Sequence, residues 1–104
     1  MLLETDRSEG NVLRMTVGGE IDVNSVRQLK KALERSIEEF QPSIEIDCKK
    51  LDYIDSTGLG TLVSALKKVK RYNGAIRIVH LKPYLHRIFE VTGLTGLFEI
   101  EVAD

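Results

Sequence analysis

The sequence is poor in the residues that build disulfide frameworks, metal sites and charge-driven interfaces. It has one cysteine, Cys48, so no internal disulfide can form and a reducing cytoplasm is the natural compartment. Its only two histidines, His80 and His86, do not fall with that cysteine into any metal-ligand spacing, so no metal and no cofactor is expected. Charge of one sign is lacking too: fifteen Lys and Arg face sixteen Asp and Glu, a formal net charge of −1. A dedicated nucleic-acid binder carries a basic surplus on one face, so direct nucleic-acid binding is not expected. An acidic disordered tail is excluded by the same balance. No apolar run approaches the roughly 18 residues of a membrane span. The opening Met1-Leu2-Leu3-Glu4-Thr5-Asp6 is charged too early for a signal peptide. Low-complexity stretches, linkers and internal repeats are missing as well.

What is present is an ordinary globular composition, 104 residues of which 42% are apolar. That length fits one domain over residues 1–104, able to bury about 65% of the surface its unfolded chain exposes. With no heptads and no long apolar edge, a monomer is expected for the free protein.

Hydrophobic periodicity orders the chain. Residues 2–6 and 12–17 read as a hairpin around Glu9-Gly10-Asn11, with Leu13, Met15 and Val17 alternating against Arg14 and Thr16. Gly18-Gly19 should break or bend the second strand before Glu20-Ile21-Asp22. Over 25–40, Val26, Leu29, Leu33, Ile37 and Phe40 recur at helical spacing; Ser25 with Gln28 forms a capping box, and Asn24 is a rival cap. Pro42 ends that helix, and Ile44, Ile46 and Cys48 mark the next strand. A second helix over 57–71 carries Leu59, Leu62, Val63, Leu66 and Val69, and Asn73-Gly74 stops it. A strand over 75–80 follows. Pro83 opens a third helix with Leu85, Ile88 and Phe89, closed by Gly93, and Phe98, Ile100 and Val102 alternate as a last strand. The order β-β-α-β-α-β-α-β predicts an α/β fold. It is a single sheet of about five mostly parallel strands, with an antiparallel hairpin first and three helices on one or both faces.

One segment stands out. Residues 51–60, Leu-Asp-Tyr-Ile-Asp-Ser-Thr-Gly-Leu-Gly, join the third strand to the second helix as a strand–loop–helix junction. Ser56 or Thr57 can cap that helix, and Asp55 is well placed to do so. A hydroxyl in the first turn also sits where free backbone N–H groups and the positive end of the helix dipole favour added negative charge. A phosphoserine there gains about 0.3–1 kcal/mol from the dipole, partly opposed by Asp55. Such a site changes its charge while keeping its fold.

Gly19-Glu20-Ile21-Asp22, Leu51–Gly60 and the late Val91-Thr92-Gly93-Leu94 together resemble the hallmarks of STAS domains, above all the stand-alone bacterial anti-sigma factor antagonists. The likeness runs over essentially the whole chain. It implies a partner-switching regulator of transcription whose acceptor serine follows the loop aspartate, here Ser56, with Thr57 a secondary acceptor. The implied partners are an anti-sigma factor that is itself a serine kinase, which binds the unmodified protein, and a metal-dependent serine phosphatase that restores it. Asp22, Asp55, Ser56, Thr57 and Gly58 are the implied partner-binding residues. Within the same family, the alternative is a scaffold module of a signalling assembly, or a lipid-transport subunit, whose loop is not phosphorylated.

Enzymatic readings find little support. Residues 53–57 do not spell a Gly-x-Ser-x-Gly elbow, because Ile54 stands two before Ser56, and neither histidine has an evident carboxylate to orient it. Ser64-Ala65-Leu66-Lys67 matches Ser-x-x-Lys only by chance, mid-helix in a short chain. Gly58-Leu59-Gly60 lacks the third glycine or Gly-Lys-Ser of a phosphate loop, so nucleotide would be held by the kinase partner. Lys67, Lys68, Lys70 and Arg71 suit a solvated helix C-terminus, or a contact for an acidic partner. Cys48 reads as a small core residue.

Overall fold

The computed structural model describes residues 1–104 as one five-stranded sheet and three helices. The elements are β1 (Leu2–Ser8), β2 (Val12–Ile21), α1 (Val26–Phe40), β3 (Ser43–Ile54), α2 (Ser56–Lys70), β4 (Ile76–Leu81), α3 (Pro83–Val91) and β5 (Glu99–Val102). The strands lie in chain order, β1 antiparallel to β2 and every later neighbour parallel. Three successive crossovers therefore step the same way across the sheet, and crossovers of one hand then put all their helices on one face. Leu29 of α1, Leu62 of α2 and Phe89 of α3 accordingly meet around one small void over Val17, Ile46 and Cys48.

Register explains the core. Leu13, Ile44 and Ile76 stand opposite one another across β2, β3 and β4, and so do Met15, Ile46 and Ile78; all six are buried. The alternate residues form the uncovered face, where Arg14 pairs with Glu45 at 3.0 Å, and Arg77 with Glu45 at 3.6 Å and Glu101 at 2.8 Å. Exposed pairs of this kind contribute little each, about 0–1 kcal/mol. Cys48 is buried and its thiol is pushed up to about 12, mainly by burial. That makes it a poor nucleophile and a core residue.

Several local expectations are corrected. Of the two outcomes expected at Gly18-Gly19, the break does not occur and the irregularity does: β2 runs on to Ile21 through two register shifts against β3, with Gly19 at φ +74. Likewise β3 does not stop near Cys48 but continues to Ile54, so residues 51–54 are strand rather than loop. The Ser25–Gln28 capping box does not form, and Asn24 is not the cap. Ser25 is the cap residue without a side-chain bond into α1, and its Oγ instead accepts from Asp22 N and donates to Glu20 O. Phe98 is buried just ahead of β5 rather than within it. The glycine stops hold: Asn73 at φ +63 and Gly93 at φ +75 turn the chain, with Gly74 N donating to Val69 O and Leu94 N to Phe89 O.

The outer edge of β1 is unpaired in the sheet. Extending the sheet through two copies of β1 about a two-fold axis places residues of one face opposite each other. Registers centred on Glu4, Thr5 or Asp6 then set Glu4 against Glu4, Glu4 against Asp6, or Asp6 against Asp6. Like charges directly opposite are destabilising. Glu4→Lys converts the register centred on Thr5 into two opposite-charge pairs, so self-association should rise about tenfold or more by sedimentation equilibrium.

Candidate functional site

The candidate site lies where β2 and β3 end. Ile21 and Ile54 are register partners, and Asp55 N donates to Ile21 O at 3.0 Å, so Asp22 and Asp55 leave the sheet side by side. The junction is tighter than a loop, because Asp55 is the single residue between β3 and α2. Of the three candidate caps, Asp55 is the one used. Its Oδ1 accepts from Thr57 N at 3.0 Å, Gly58 N at 3.1 Å and the Thr57 hydroxyl at 2.5 Å. Those bonds, the Thr57 hydroxyl first and Gly58 N–H next, hold the Asp55 carboxyl below its ordinary value, with a smaller contribution from Val23 N–H in the neighbouring turn.

Asp22 is used in a parallel way. Its Oδ1 accepts from Asn24 N at 2.9 Å and Ser25 N at 3.1 Å, folding the turn that starts α1. Both aspartates are thus turn-formers whose remaining oxygens and negative charge face the same end of the sheet.

Gly58 answers to packing. A Cβ there would stand 2.7 Å from both Ile21 Cγ2 and Ile54 Cγ1, closer than any real contact. Glycine lets the first turn of α2 sit directly on the ends of β2 and β3.

The two hydroxyls are divided between structure and surface. Thr57 is spent on Asp55, whereas Ser56, at the first position of α2, is exposed and its hydroxyl makes no hydrogen bond within the chain. A phosphate on Ser56 would find the N–H groups of Thr57 and Gly58 already occupied by Asp55 and that of Leu59 by Asp55 O. A phosphoserine at this helix start would therefore gain no hydrogen bond from those three N–H groups, and its charge would add to that of Asp55.

Both histidines do have carboxylate neighbours, contrary to expectation. His80 Nδ1 lies 3.1 Å from Asp47 and His86 Nδ1 3.5 Å from Glu90. The first pair arises across β3 and β4 and is hidden in the sequence, whereas the second is an i,i+4 pair within α3 that helical spacing could have revealed. Neither ring bonds to Ser56. No group of three His, Cys, Asp or Glu side chains stands close enough to hold a metal, and no helix is long and apolar enough to cross a membrane.

Sequence reading missed the supports around the motif. Lys82 Nζ reaches Asp52 at 2.8 Å, a hydrogen bond that raises the Lys82 pKa, and Tyr84 Oη donates to Asp52 O at 2.6 Å. Only the approach of α3 to β3 brings them there. The late Val91–Leu94 segment places Leu94 in a groove beside Ser56.

This fold and site define a known class. The STAS domain model matches residues 4–103, and the chain belongs to the STAS domain family. Relatives of similar sequence within it include anti-sigma-B factor antagonists. The chain is 36% identical over 90 residues to the anti-sigma-B factor antagonist of Bacillus subtilis, covering 86% of this chain and 82% of that one. It superimposes with a TM-score of 0.84 on an anti-sigma factor antagonist from Mycobacterium paratuberculosis, at 24% identity over 96% of this chain and 84% of the other. A third likeness is to the Bacillus cell fate determinant SpoIIAA in its phosphorylated form, with TM-score 0.79, 17% identity, and 99% and 92% of the two chains covered.

Two outcomes follow from the geometry. Gly58→Ala should destabilise the fold by about 1–3 kcal/mol in denaturant unfolding, although alanine is the better helix former. Asp55→Asn should lower the thermal midpoint at pH 7. Because the folded carboxyl is depressed, its contribution is present above the ordinary value of 3.8 and lost as pH falls through the lower folded value. The gap between the wild type and Asp55→Asn should therefore close in strong acid.

Proposed function

We propose that the chain is an anti-sigma factor antagonist working by partner switching in the cytoplasm. Unmodified, it binds an anti-sigma factor that is a serine kinase and so releases a sigma factor. Phosphorylated on Ser56, it is released, and a metal-dependent serine phosphatase resets it. Ser56 is the acceptor and Thr57 the lesser one, with Asp22, Asp55, Thr57 and Gly58 shaping the docking surface.

One observation carries the choice of acceptor. At the start of α2 the Ser56 hydroxyl is exposed and free, while the neighbouring Thr57 hydroxyl is held by the capping carboxylate. Phosphorylating Thr57 would cost the cap one of its bonds; phosphorylating Ser56 costs none. The switch is then electrostatic. About −1.5 to −2 charge added beside Asp55 and Asp22 meets like charge and an interface that cannot solvate it. A loss of about 3 kcal/mol there weakens binding roughly a hundredfold. The family supports the same reading: the chain spans 82% of the Bacillus subtilis antagonist, and SpoIIAA, a protein of this fold, has a phosphorylated form.

The test uses the serine kinase encoded in the same genome. With ATP, mass spectrometry should find phosphate on Ser56. Ser56→Ala should bind the kinase and resist release by ATP, and Ser56→Asp should bind about a hundredfold more weakly. Equal affinity of wild type and Ser56→Asp would overturn the mechanism. Stable association with no modification would favour a scaffold or transport module instead.

A further inference from the structure

Two grooves run along either side of α2. One, of about 250 Å³, lies between α1 and α2 over Leu33 and Ile37; the other, of about 370 Å³, lies between α2 and the turn after α3, over Val63 and Leu94. Ser56, Gly60 and Ser64 line both grooves and are exposed. Spaced four residues apart, they form the ridge between the grooves. Because their side chains are small or absent, the ridge is low, and the two grooves with this low ridge between them make up a trough across the helix.

Gly60 has no role in the internal packing. A Cβ built on it meets nothing within 4 Å, in contrast to the 2.7 Å contacts at Gly58. Glycine within a helix is less favourable than alanine, so its effect at position 60 is to bare the backbone outward, where another chain can approach closely. The rims add an independent observation. Lys30 borders the first groove and Lys67 the second, and neither has a carboxylate partner; Lys68, also on the first, is shared with Glu34 at 3.5 Å. Glu34 also lines the first groove, so Lys30, Lys68 and Lys67 leave the two rims with a surplus of cations over partly apolar floors, which fits an amphipathic helix with carboxylates flanking its apolar face.

We infer that the trough centred on Gly60 is where the kinase partner lays such an acidic-flanked helix, in direct contact with the Gly60 backbone; this rests on the partner-switching reading above. One helical turn is about 5.4 Å, so a helix seated on Gly60 has Ser56 at its edge, and a phosphate there meets the partner's carboxylates. Gly60 is then a specificity-determining residue that the fold itself does not require.

Calorimetric titration of the unphosphorylated protein with the same kinase, without hydrolysable nucleotide, tests this beside thermal unfolding. Gly60→Gln should raise the thermal midpoint by about 4 °C or more while weakening binding at least tenfold. Lys30→Glu combined with Lys67→Glu should also weaken binding at least tenfold and flatten its salt dependence. Wild type that fails to bind overturns the partner-switching reading and this site with it. Wild-type binding with Gly60→Gln within twofold overturns the trough alone, and loss through Gly60→Gln but not through the lysine reversals overturns the acidic partner.

Discussion

The structure around the site depends on the carboxylate of Asp55. A strand must become a helix here within one residue, leaving the first N–H groups of α2 without helical partners. Asp55 takes those of Thr57 and Gly58 on one oxygen, together with the Thr57 hydroxyl. Its own N–H continues the pairing with Ile21, so one residue closes the β2–β3 ladder and starts the helix. The close seat of Gly58 on Ile21 and Ile54 follows from the same tight junction. So does the outward position of Ser56, since the residue after a cap and before the packed third position has only solvent to face.

This arrangement separates what holds the fold from what can be altered. Asp22, Asp55, Thr57 and Gly58 are committed to turns, a cap and packing, and changing any of them disturbs the local backbone. Ser56 is committed to nothing inside the chain. A charge added there leaves every structural bond of the junction in place, which is the physical condition for a switch that acts through a partner and not through unfolding. The uncovered face of the sheet, with its alternating Arg14, Glu45, Arg77 and Glu101, is built from internally matched pairs. Lys30 and Lys67, which have no carboxylate partner, lie on the helical side and line the grooves next to the alterable position.

Periodic elements were legible because their signals are local. The alternation of Leu13, Met15 and Val17, the helical stripes of Leu29, Leu33 and Ile37, and the stops at Asn73-Gly74 and Gly93 all appear in the structure where pattern placed them. The errors cluster where a local preference met a tertiary demand. Gly18-Gly19 weakens a strand on its own, yet pairing with β3 carries β2 through it by register shifts. Asp52 and Tyr53 read as loop residues, but the pairing of Leu51, Tyr53 and Ile54 with β2 carries the strand through them. Ser25 is a strong cap type, yet the turn built by Asp22 drew its hydroxyl back toward Glu20.

By itself, the sequence determined the α/β order, the family and the candidate segment, because hydrophobic period and the Asp-Ser-Thr-Gly-Leu-Gly motif are properties of neighbouring residues. Composition set one further limit, a chain with a single thiol and almost no net charge. Only the tertiary structure decided which of three capping side chains is used, which hydroxyl stays free, and that all helices share one face. It alone distinguished Gly58, pressed against two isoleucines, from Gly60, open to solvent. The reason is that satisfaction of a hydrogen bond and occupancy of space are set by groups far apart in the chain. No spacing within a motif contains them.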